Sequence, residues 1–163
     1  MFNIAVITLS DTGAKGERKD LSGEELKSVT SSLGEIVHYE ILPDDIELIS
    51  EKLAMLCDSG KVDVIFTTGG TGFTERDITP EATKRIIERD VPGLSEYMRM
   101  KGSEKSPNAI LSRGVCGIRK KTLIINLPGS LKAVRENISL ILPVLPHALE
   151  KLKGDTTPCG EPK

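Results

Sequence analysis

The chain has 163 residues, of which 38% are hydrophobic and 28% charged, and this balance predicts one globular domain with a single core. Aromatic residues make up only 3% and Trp is absent, which argues against a nucleic-acid platform built on base stacking. No apolar run is long enough to cross a membrane, and three scattered cysteines without a CxxC pair fit neither a disulfide framework nor a zinc site. We therefore expect a cytoplasmic protein that binds no nucleic acid and no membrane.

The net charge of −2 conceals an uneven distribution of charge along the chain. Residues 1–98 carry 10 basic and 19 acidic residues, whereas residues 99–121 carry seven basic residues and one acid, Glu104. A cationic stretch of this kind can attract a polyanionic ligand. A solvated surface loop explains the same pattern, and without other support it is the better explanation.

The first third of the chain predicts two strands and two helices. Residues 3–9 are a short apolar run, typical of a strand buried in a parallel sheet, and they are followed by a polar loop. Ser22 with Glu25 three positions later matches a capping box, so a helix is expected from there to about Leu33. Residues 35–42 are the second predicted strand, and residues 46–60 have apolar side chains at helical spacing.

The middle of the chain alternates again between strand and helix. Residues 62–68 predict the third strand, which is followed by a glycine-rich turn. The next helix is expected to have Thr79 at its N-cap and Pro80 at its first position, and to end near Asp90. Residues 94–111 fit either a helix or irregular structure.

The last part of the chain predicts a strand pair, a long helix and a tail. Residues 112–127 read as two strands joined by a basic turn, and a helix is expected from the turn at residues 128–130 to Lys153. Pro143 and Pro146 should kink or divide this helix. The resulting α/β domain, residues 1–154, is a three-layer α/β/α sandwich with a mostly parallel mixed sheet, and residues 155–163 form a polar tail.

Three turns are predicted at one end of this sheet, where ligands of open α/β sheets bind. They are Ser10-Asp11, Gly69-Gly70-Thr71-Gly72 and Pro128-Gly129-Ser130. Three glycines in four residues permit positive φ, close approach of a ligand, and a nest of backbone N–H groups that binds anions. The segment is neither a Walker A loop nor a GxGxxG motif. From the glycines alone, a tight turn required only for packing is as good an explanation.

Two aspartates near the glycine turn add a possible metal ion to the predicted anion site. Asp77 lies just after the glycine turn, where a carboxylate repels an anion unless a cation such as Mg²⁺ stands between them, and Asp44 at the end of the second strand could supply a second carboxylate. Alternatively, Asp77 stabilises a helix dipole and Asp44 is an ordinary turn residue. The histidines, His38 and His147, lie far from the turns in sequence, which favours a reaction whose nucleophile is already ionised, such as phosphate attacking phosphate.

Residues 67–83, TTGGTGFTERDITPEAT, resemble the signature of the molybdopterin adenylyltransferases, the family that includes the G domain of gephyrin and its plant counterpart. The resemblance extends to about Gly154. Supporting segments are LSD at 9–11, LPDD at 42–45, PGLSEYMR at 92–99, SPNAILSRGVCGIR at 106–119 and TLIINLPGS at 122–130. It implies a molybdopterin-binding-domain fold and a homotrimer that converts molybdopterin and Mg-ATP to adenylyl-molybdopterin and pyrophosphate, with hand-over to the molybdate-inserting enzyme.

The resemblance also implies roles for individual residues. Asp77 and Asp44 would be the catalytic acidic pair that acts with Mg²⁺. The substrate-binding residues would be Thr68, Gly69, Gly70, Thr71, Gly72 and Phe73 on the floor of the site, Ser10 and Asp11 on the ATP side with Ser22 and Gly23 nearby, Ser112 and Arg113 on the pterin or its phosphate, and Pro128, Gly129 and Ser130 closing the pocket.

Four other readings remain open at this point. The chain could be a paralogue with weak or no transferase activity, or a trimeric interaction module, which would not require Asp77. It could correspond to the equivalent domain of the molybdate-inserting enzyme, although 163 residues leave no room for that enzyme's other domains. A generic nucleotide-binding module is the last alternative. The acidic pair favours the enzyme.

Overall fold

A computed structural model describes residues 1–157, which contain one six-stranded sheet with helices on both faces. The strands are β1 Phe2–Leu9, β2 Gly34–Leu42, β3 Val64–Thr68, β4 Arg89–Asp90, β5 Cys116–Arg119 and β6 Thr122–Leu127. The helices are α1 Asp11–Ala14, α2 Leu21–Thr30, α3 Ile46–Asp58, α4 Thr79–Lys84, α5 Pro92–Ser103, α6 Leu131–Ile141 and α7 Leu145–Lys153, with 3-10 helices at Pro107–Leu111 and Leu142–Val144.

The strand order is β2-β1-β3-β6-β5-β4, and the first four strands run parallel. Strands β5 and β4 continue the sheet in antiparallel pairings, so the mostly parallel mixed sheet predicted from the sequence is confirmed. The interior strands β3 and β6 are buried along their whole length, which explains why their sequences are mostly apolar and do not alternate between apolar and polar residues.

Two hydrophobic clusters separate the layers of the sandwich. One face of the sheet is covered by α2, α5, α6 and α7 through side chains such as Leu26, Met98 and Ile138. The other face is covered by α3 and α4, with Ile49, Leu53 and Ala82 in contact with the sheet. The three-layer α/β/α arrangement is therefore confirmed. Within residues 1–157, no helix is both long and apolar enough to span a membrane.

The predicted capping box at the second helix is wrong. The N-cap of α2 is Asp20, whose carboxylate accepts from the N–H of Gly23 at 2.8 Å, and Ser22 donates its hydroxyl to the same carboxylate. Glu25 does not fold back to the helix start, because it forms an ion pair with Arg135 of α6. A carboxylate two positions earlier outcompetes the serine for the free amides of the first turn. The short helix α1 also lies inside the predicted loop.

The helix after the glycine turn is shorter than predicted, and Thr79 is not its N-cap. Helix α4 ends at Lys84, because Glu88 and Val91 donate backbone N–H groups to Ile118 and Cys116 and place β4 at the sheet edge. At this point the pairing of residues 88–91 with β5 replaces further helix. The N-cap position is Ile78, and Thr79 is the first helical residue.

The last helix is divided as the prolines predicted, into α6, a 3-10 turn at Leu142–Val144 and α7. Gly154 ends α7 in the left-handed conformation, with φ of 106°. The predicted strand over residues 112–118 begins only at Cys116, so Ser112 and Arg113 belong to a connecting segment. Most of the predicted tail, with Cys159, lies outside the described residues.

Candidate functional site

The glycine turn leaves β3 in a conformation that only glycine adopts without strain. Gly69 and Gly70 have φ of 102° and 64°. A Cβ on Gly69 would lie 2.4 Å from the carbonyl oxygen of Leu9, and one on Gly70 would lie 2.2 Å from Oγ1 of Thr79. Both positions therefore lack room for a side chain, and the predicted positive-φ turn is confirmed.

The four carbonyl groups of residues 69–72 all accept hydrogen bonds from the protein. Thr79 donates its hydroxyl and its backbone N–H to the first two, at 2.9 and 3.1 Å. Arg113 donates its backbone N–H and its Nε to the other two, at 3.0 and 2.7 Å. The turn is thus held by its carbonyl oxygens, and the orientation of its peptides is fixed before any ligand arrives.

The backbone N–H groups of the same turn differ from its carbonyl groups in how many hydrogen bonds they make to the protein. Within residues 1–157, the backbone N–H groups of Gly70, Thr71 and Phe73 make no hydrogen bond to another residue. The N–H of Gly72 bonds to Asp77, so Gly70 and Thr71 are the successive pair. Successive N–H groups in a turn with positive φ can form a concave site for an anion. This geometry is compatible with the predicted anion-binding nest.

A buried polar network supports the turn from below. Asn126 of β6 donates its side-chain amide to Thr67 at 2.9 Å and to Thr83 of α4 at 3.0 Å, and its side-chain oxygen accepts from the N–H of Val115 at 3.2 Å. These side chains are almost completely buried. Because unpaired buried polar groups are costly, the network ties the sheet to α4 in one arrangement.

The turn after β6 touches the glycine turn directly. Thr68 donates its hydroxyl to the carbonyl of Pro128 at 2.8 Å, and the N–H of Gly69 donates to Leu127 at 3.1 Å. A Cβ on Gly129 would lie 3.2 Å from the Cα of Gly69. Ser130 caps α6 by accepting from the N–H of Ala133. The structure therefore brings these two predicted turns together.

Acidic side chains lie on the other side of the glycine turn. The backbone N–H of Asp44 donates to the carboxylate of Asp11 at 3.0 Å, and Arg76 forms an ion pair with the same carboxylate. A Cβ on Gly70 would stand 3.4 Å from Oδ1 of Asp44, and one on Gly72 would stand 2.9 Å from Oδ2 of Asp77. Asp44 and Asp77 thus both lie against the turn.

The two aspartates have opposite electrostatic surroundings. Burial and the negative charges of Asp11 and Asp77 raise the pKa of Asp44 above its usual value. Partial burial opposes ionisation of Asp77 as well, but hydrogen bonds from the hydroxyl and N–H of Thr74 lower its pKa. The pKa of Asp11 is lowered by Arg76 and by the N–H of Asp44.

These charges fit a cation that shares its ligands with a substrate. Within the described residues, no cluster of three or more His, Cys, Asp or Glu side chains could hold a metal ion without other ligands. Mg²⁺ is usually held in proteins by one or two carboxylates, and phosphate oxygens of a substrate complete its coordination. The donor set of Asp44 and Asp77 is compatible with that chemistry.

A cavity of about 510 Å³ opens on the opposite side of the turn, between α5, α6 and the 3-10 helix Pro107–Leu111. Its lining includes Thr71, Gly72, Phe73, Ser112, Pro128 and Ser130 from the predicted site. Most of its lining residues are polar or small, although apolar atoms form the larger part of its wall, and Phe73, 70% exposed, lies at its edge. The volume is in the range of ordinary small-molecule sites.

The remaining predicted residues lie outside this cavity. Ser10 caps α1, and Ser22 and Gly23 are held at the start of α2 by Asp20, which also accepts hydrogen bonds from Thr8 and Tyr39. A Cβ on Gly23 would lie 2.6 Å from Oγ1 of Thr8, so this glycine allows α2 to approach β1 closely.

Arg113 was predicted to hold a ligand, but its guanidinium is occupied by the protein. It donates to the carbonyl groups of Gly72 and Asp77 and forms an ion pair with Glu81. The pair lowers the pKa of Glu81. A direct contact between Arg113 and a ligand stays a prediction.

Sequence reasoning missed a large part of the cavity wall. It did not assign Ser95, Met98, Arg99 and Gly102 of α5, Ser106, Asn108, Ala109 and Leu111 near the 3-10 helix, or Lys132, Ala133, Glu136 and Asn137 of α6. The available signal was the pair of segments PGLSEYMR and SPNAIL, which the resemblance includes without giving them a role. The ion pair of Arg76 with Asp11 was also missed, since it joins residues 65 positions apart.

Residues 5–147 match the family model described as a probable molybdopterin binding domain. The match covers well over half of the chain, and the chain therefore belongs to the molybdopterin-binding domain family. The predicted family resemblance is confirmed.

Relatives within the family are similar along almost the whole chain. A molybdopterin adenylyltransferase from Helicobacter pylori strain J99 is 44% identical over 157 residues, covering 94% of this chain and 89% of that one. The molybdenum cofactor synthesis protein cinnamon from Drosophila melanogaster is 42% identical over 96% of this chain, which spans only 26% of that longer protein. The crystal structure of the molybdopterin biosynthesis enzyme MoaB from Thermus thermophilus superimposes with a TM-score of 0.89 at 46% identity, covering 95% and 98% of the two chains.

Proposed function

We propose that this chain adenylylates molybdopterin, using Mg-ATP and producing adenylyl-molybdopterin and pyrophosphate. The observation that best supports this reaction is the glycine turn, which has open amides at Gly70, Thr71 and Phe73. Thr71, Gly72 and Phe73 line the 510 Å³ cavity, and Gly70 and Gly72 lie against Asp44 and Asp77. A turn between two such regions can hold phosphate groups of two ligands at once. The relatives named molybdopterin adenylyltransferase support the same reaction.

In the proposed reaction, an oxygen of the molybdopterin phosphate forms a bond to the α-phosphorus of ATP. The bond from that phosphorus to the oxygen bridging the α- and β-phosphates breaks, and pyrophosphate leaves with the bonding electrons. The attacking phosphate is already ionised near neutral pH, so the step needs no histidine base. The residues act by positioning the two phosphates and by stabilising charge.

The cavity is the proposed site of the pterin, with Phe73, Ser112 and Ser130 among its contacts. Ser10 and Asp11 border the proposed nucleotide side, where the amides of the turn bind phosphate. Asp44 and Asp77 would hold Mg²⁺, and this ion would neutralise charge on the phosphate oxygens. The pKa of Asp44 is raised first by burial and then by the charges of Asp11 and Asp77, and the negative charges around this carboxyl favour a bound cation.

The test of this function replaces Asp77 with asparagine. The side-chain oxygen of the Asp77→Asn variant can still accept from Thr74, so we expect a folded protein that binds molybdopterin but forms little adenylyl-molybdopterin. Glu75→Gln is the matched control, because Glu75 is an exposed acid of the same loop. Product formation is measured from molybdopterin and Mg-ATP. Normal turnover by Asp77→Asn would remove Asp77 from the mechanism.

A wild-type chain that binds molybdopterin without forming product would instead support the low-activity paralogue.

A trimeric interaction module is the alternative that the exposed apolar side chains favour. Tyr97 and Met100 of α5 and Ile110 and Leu111 of the adjoining 3-10 helix are 40–60% exposed. We propose that the protein is a cytoplasmic homotrimer that passes its product to the molybdate-inserting enzyme. Sedimentation that shows a stable monomer would contradict the trimer.

A further inference from the structure

Arg113 lies beside the glycine loop, residues 71–77, in the segment that follows the 3-10 helix Pro107–Leu111. Its side chain is 34% exposed, so about two-thirds of it is packed against the protein. Within residues 1–157, all hydrogen bonds between the backbone of this loop and the rest of the chain are made by this one residue.

Arg113 reaches three carbonyl groups of the loop. Its backbone N–H donates to Thr71 at 3.0 Å, its Nε donates to Gly72 at 2.7 Å, and Nη2 donates to Asp77. The two ends of the loop are therefore attached to one rigid, planar guanidinium. Glu81 of α4 accepts from both terminal nitrogens and fixes the orientation of that plane.

This arrangement sets the position of Asp77. Its carbonyl group is bonded to Arg113, while its carboxylate accepts from the N–H and hydroxyl of Thr74 within the same loop. The loop is closed on itself by the carboxylate and joined to α4 by the guanidinium and Glu81. Loss of the guanidinium would leave the internal closure, the Arg76–Asp11 ion pair and the backbone bond to Thr71 intact, but would remove the bonds that join Gly72 and Asp77 to Glu81 of α4.

A direct grip on a substrate phosphate is the competing role for Arg113. Four of the five guanidinium N–H groups already have protein acceptors, and an arginine that clamps a phosphate uses two of them in a fork. Such a grip would require the side chain to release Glu81 or a loop carbonyl. The contacts favour a role on the loop.

We propose that Arg113 is a positioning residue: it holds the glycine loop, and with it the Asp77 carboxylate, in the geometry that the transfer step requires, and it touches neither substrate. The role rests on the proposed function. A lysine at this position would keep the charge beside Glu81, but a single ammonium cannot reproduce the fork that spans Gly72, Asp77 and Glu81.

The kinetic test compares Arg113→Lys and Arg113→Ala with the control Arg85→Ala, whose ion pair with Glu47 lies outside the site. Misplaced reacting groups cost up to about a hundredfold in rate. We expect both Arg113 variants to lose activity in kcat, with Kd for molybdopterin little changed, and Arg85→Ala to match wild type. Added guanidinium should restore part of the kcat of Arg113→Ala. A rise in Kd with unchanged kcat would show a direct ligand contact and overturn the proposal.

A double mutant separates the two roles further. If Arg113 acts through Asp77, adding Arg113→Lys to Asp77→Asn should lower the residual rate much less than Arg113→Lys lowers the wild-type rate. Additive losses would contradict the proposal. The salt dependence of molybdopterin binding should also stay the same in Arg113→Lys and Arg113→Ala as in wild type.

Hydrogen exchange tests the positioning without any turnover. Amides of residues 71–77 should exchange faster in Arg113→Ala than in wild type or Arg85→Ala, with exchange in β1 and β3 unchanged. Equal exchange in the loop would overturn the proposal. If Arg113→Ala does not fold, the same comparison uses Arg113→Lys. A wild-type chain without transferase activity would refute the proposed function, whereas the exchange experiment would still decide the role of Arg113 on the loop.

Discussion

The backbone N–H of Asp44 donates to the carboxylate of Asp11, and the two residues come from the ends of neighbouring parallel strands, β2 and β1. Arg76 of the glycine loop pairs with the same carboxylate. Asp11 thus connects the loop that carries Asp77 to the turn that carries Asp44. The proposed acidic pair is joined by this chain of contacts.

The ion pair between Arg76 and Asp11 predicts that Arg76→Ala loses activity but keeps its thermal stability. The ion pair is exposed, with the Arg76 side chain 63% accessible, so we expect little change in Tm. Loss of the link should let Asp11 and the Asp44 turn move, and kcat/KM should fall by about tenfold, less than the loss expected for a fully misplaced group. Arg85→Ala, with its exposed partner Glu47, is the control. Equal activity of the two variants would contradict the link.

Asp11→Asn should move the acid limb of the pH–activity profile. The pKa of Asp44 is raised from its ordinary value near 3.8 by burial and by the charge of Asp11, so Asp44 loses its negative charge at a higher pH than an ordinary aspartate as the solution is acidified. Removing the charge of Asp11 should lower the pKa of Asp44, and the acid limb of kcat/KM should then shift to lower pH.

The substituted side chain retains an oxygen that can accept from the N–H of Asp44, but it loses the ion pair with Arg76. The level of kcat/KM should therefore fall as in Arg76→Ala, and the pH of the acid limb is the quantity that reports on Asp44. Asp63→Asn is a control for the loss of one acidic charge away from the site. A profile that stays unchanged, or moves to higher pH, would argue against the ionised form of Asp44 as the active one.

Gly70→Ala and Gly60→Ala form a matched pair for the strain in the glycine turn. Both glycines are left-handed, with φ of 64° and 66°, but a Cβ meets Oγ1 of Thr79 at 2.2 Å only at Gly70. We expect Gly60→Ala to lower the free energy of unfolding by about 1–2 kcal/mol from conformation alone. Gly70→Ala should cost about 1–3 kcal/mol more from overpacking. Urea denaturation measures both, and equal losses would contradict the close contact.

Phe73→Ala should affect ligand binding far more than stability. The ring is 70% exposed at the edge of the cavity, so its removal should leave Tm nearly unchanged. If the ring stacks on the pterin, the loss of about 0.5–1.5 kcal/mol should raise Kd for molybdopterin by roughly two- to tenfold. Ile110→Ala, an apolar residue that is 60% exposed and outside the cavity lining, is the control. A Kd that rises equally in both variants would refute the stacking contact.

Several features of this fold were predictable because they depend on short stretches of sequence. The apolar runs of β1, β3 and β6 indicated buried parallel strands, and the glycine turn, which requires positive φ, was recognised from its residues. Pro143 and Pro146 divided the last helix because proline lacks a backbone donor and clashes with the preceding turn.

The errors came from competition between local and distant partners. Ser22 and Glu25 match the capping pattern, but Asp20 accepts the hydrogen bond at the start of the helix and Glu25 forms an ion pair with Arg135. The helix after the glycine turn stopped at Lys84 because residues 88–91 pair with β5, which is about 30 positions away in sequence. Rules based on neighbouring positions in the sequence do not include partners such as Arg135 or strand β5, which lie far away along the chain.

For the site, the sequence alone determined the glycine turn and its neighbouring acids, because conformational freedom and charge are properties of the residues themselves. Only the tertiary structure decided which partners these residues and their neighbours bind. Packing of the 112–115 segment against the turn directs the donors of Arg113 to Gly72, Asp77 and Glu81. The direction of a hydrogen bond depends on where distant elements stand after folding. For that reason the sequence could suggest Arg113 as a residue of the site, but only the structure could show that it holds the loop.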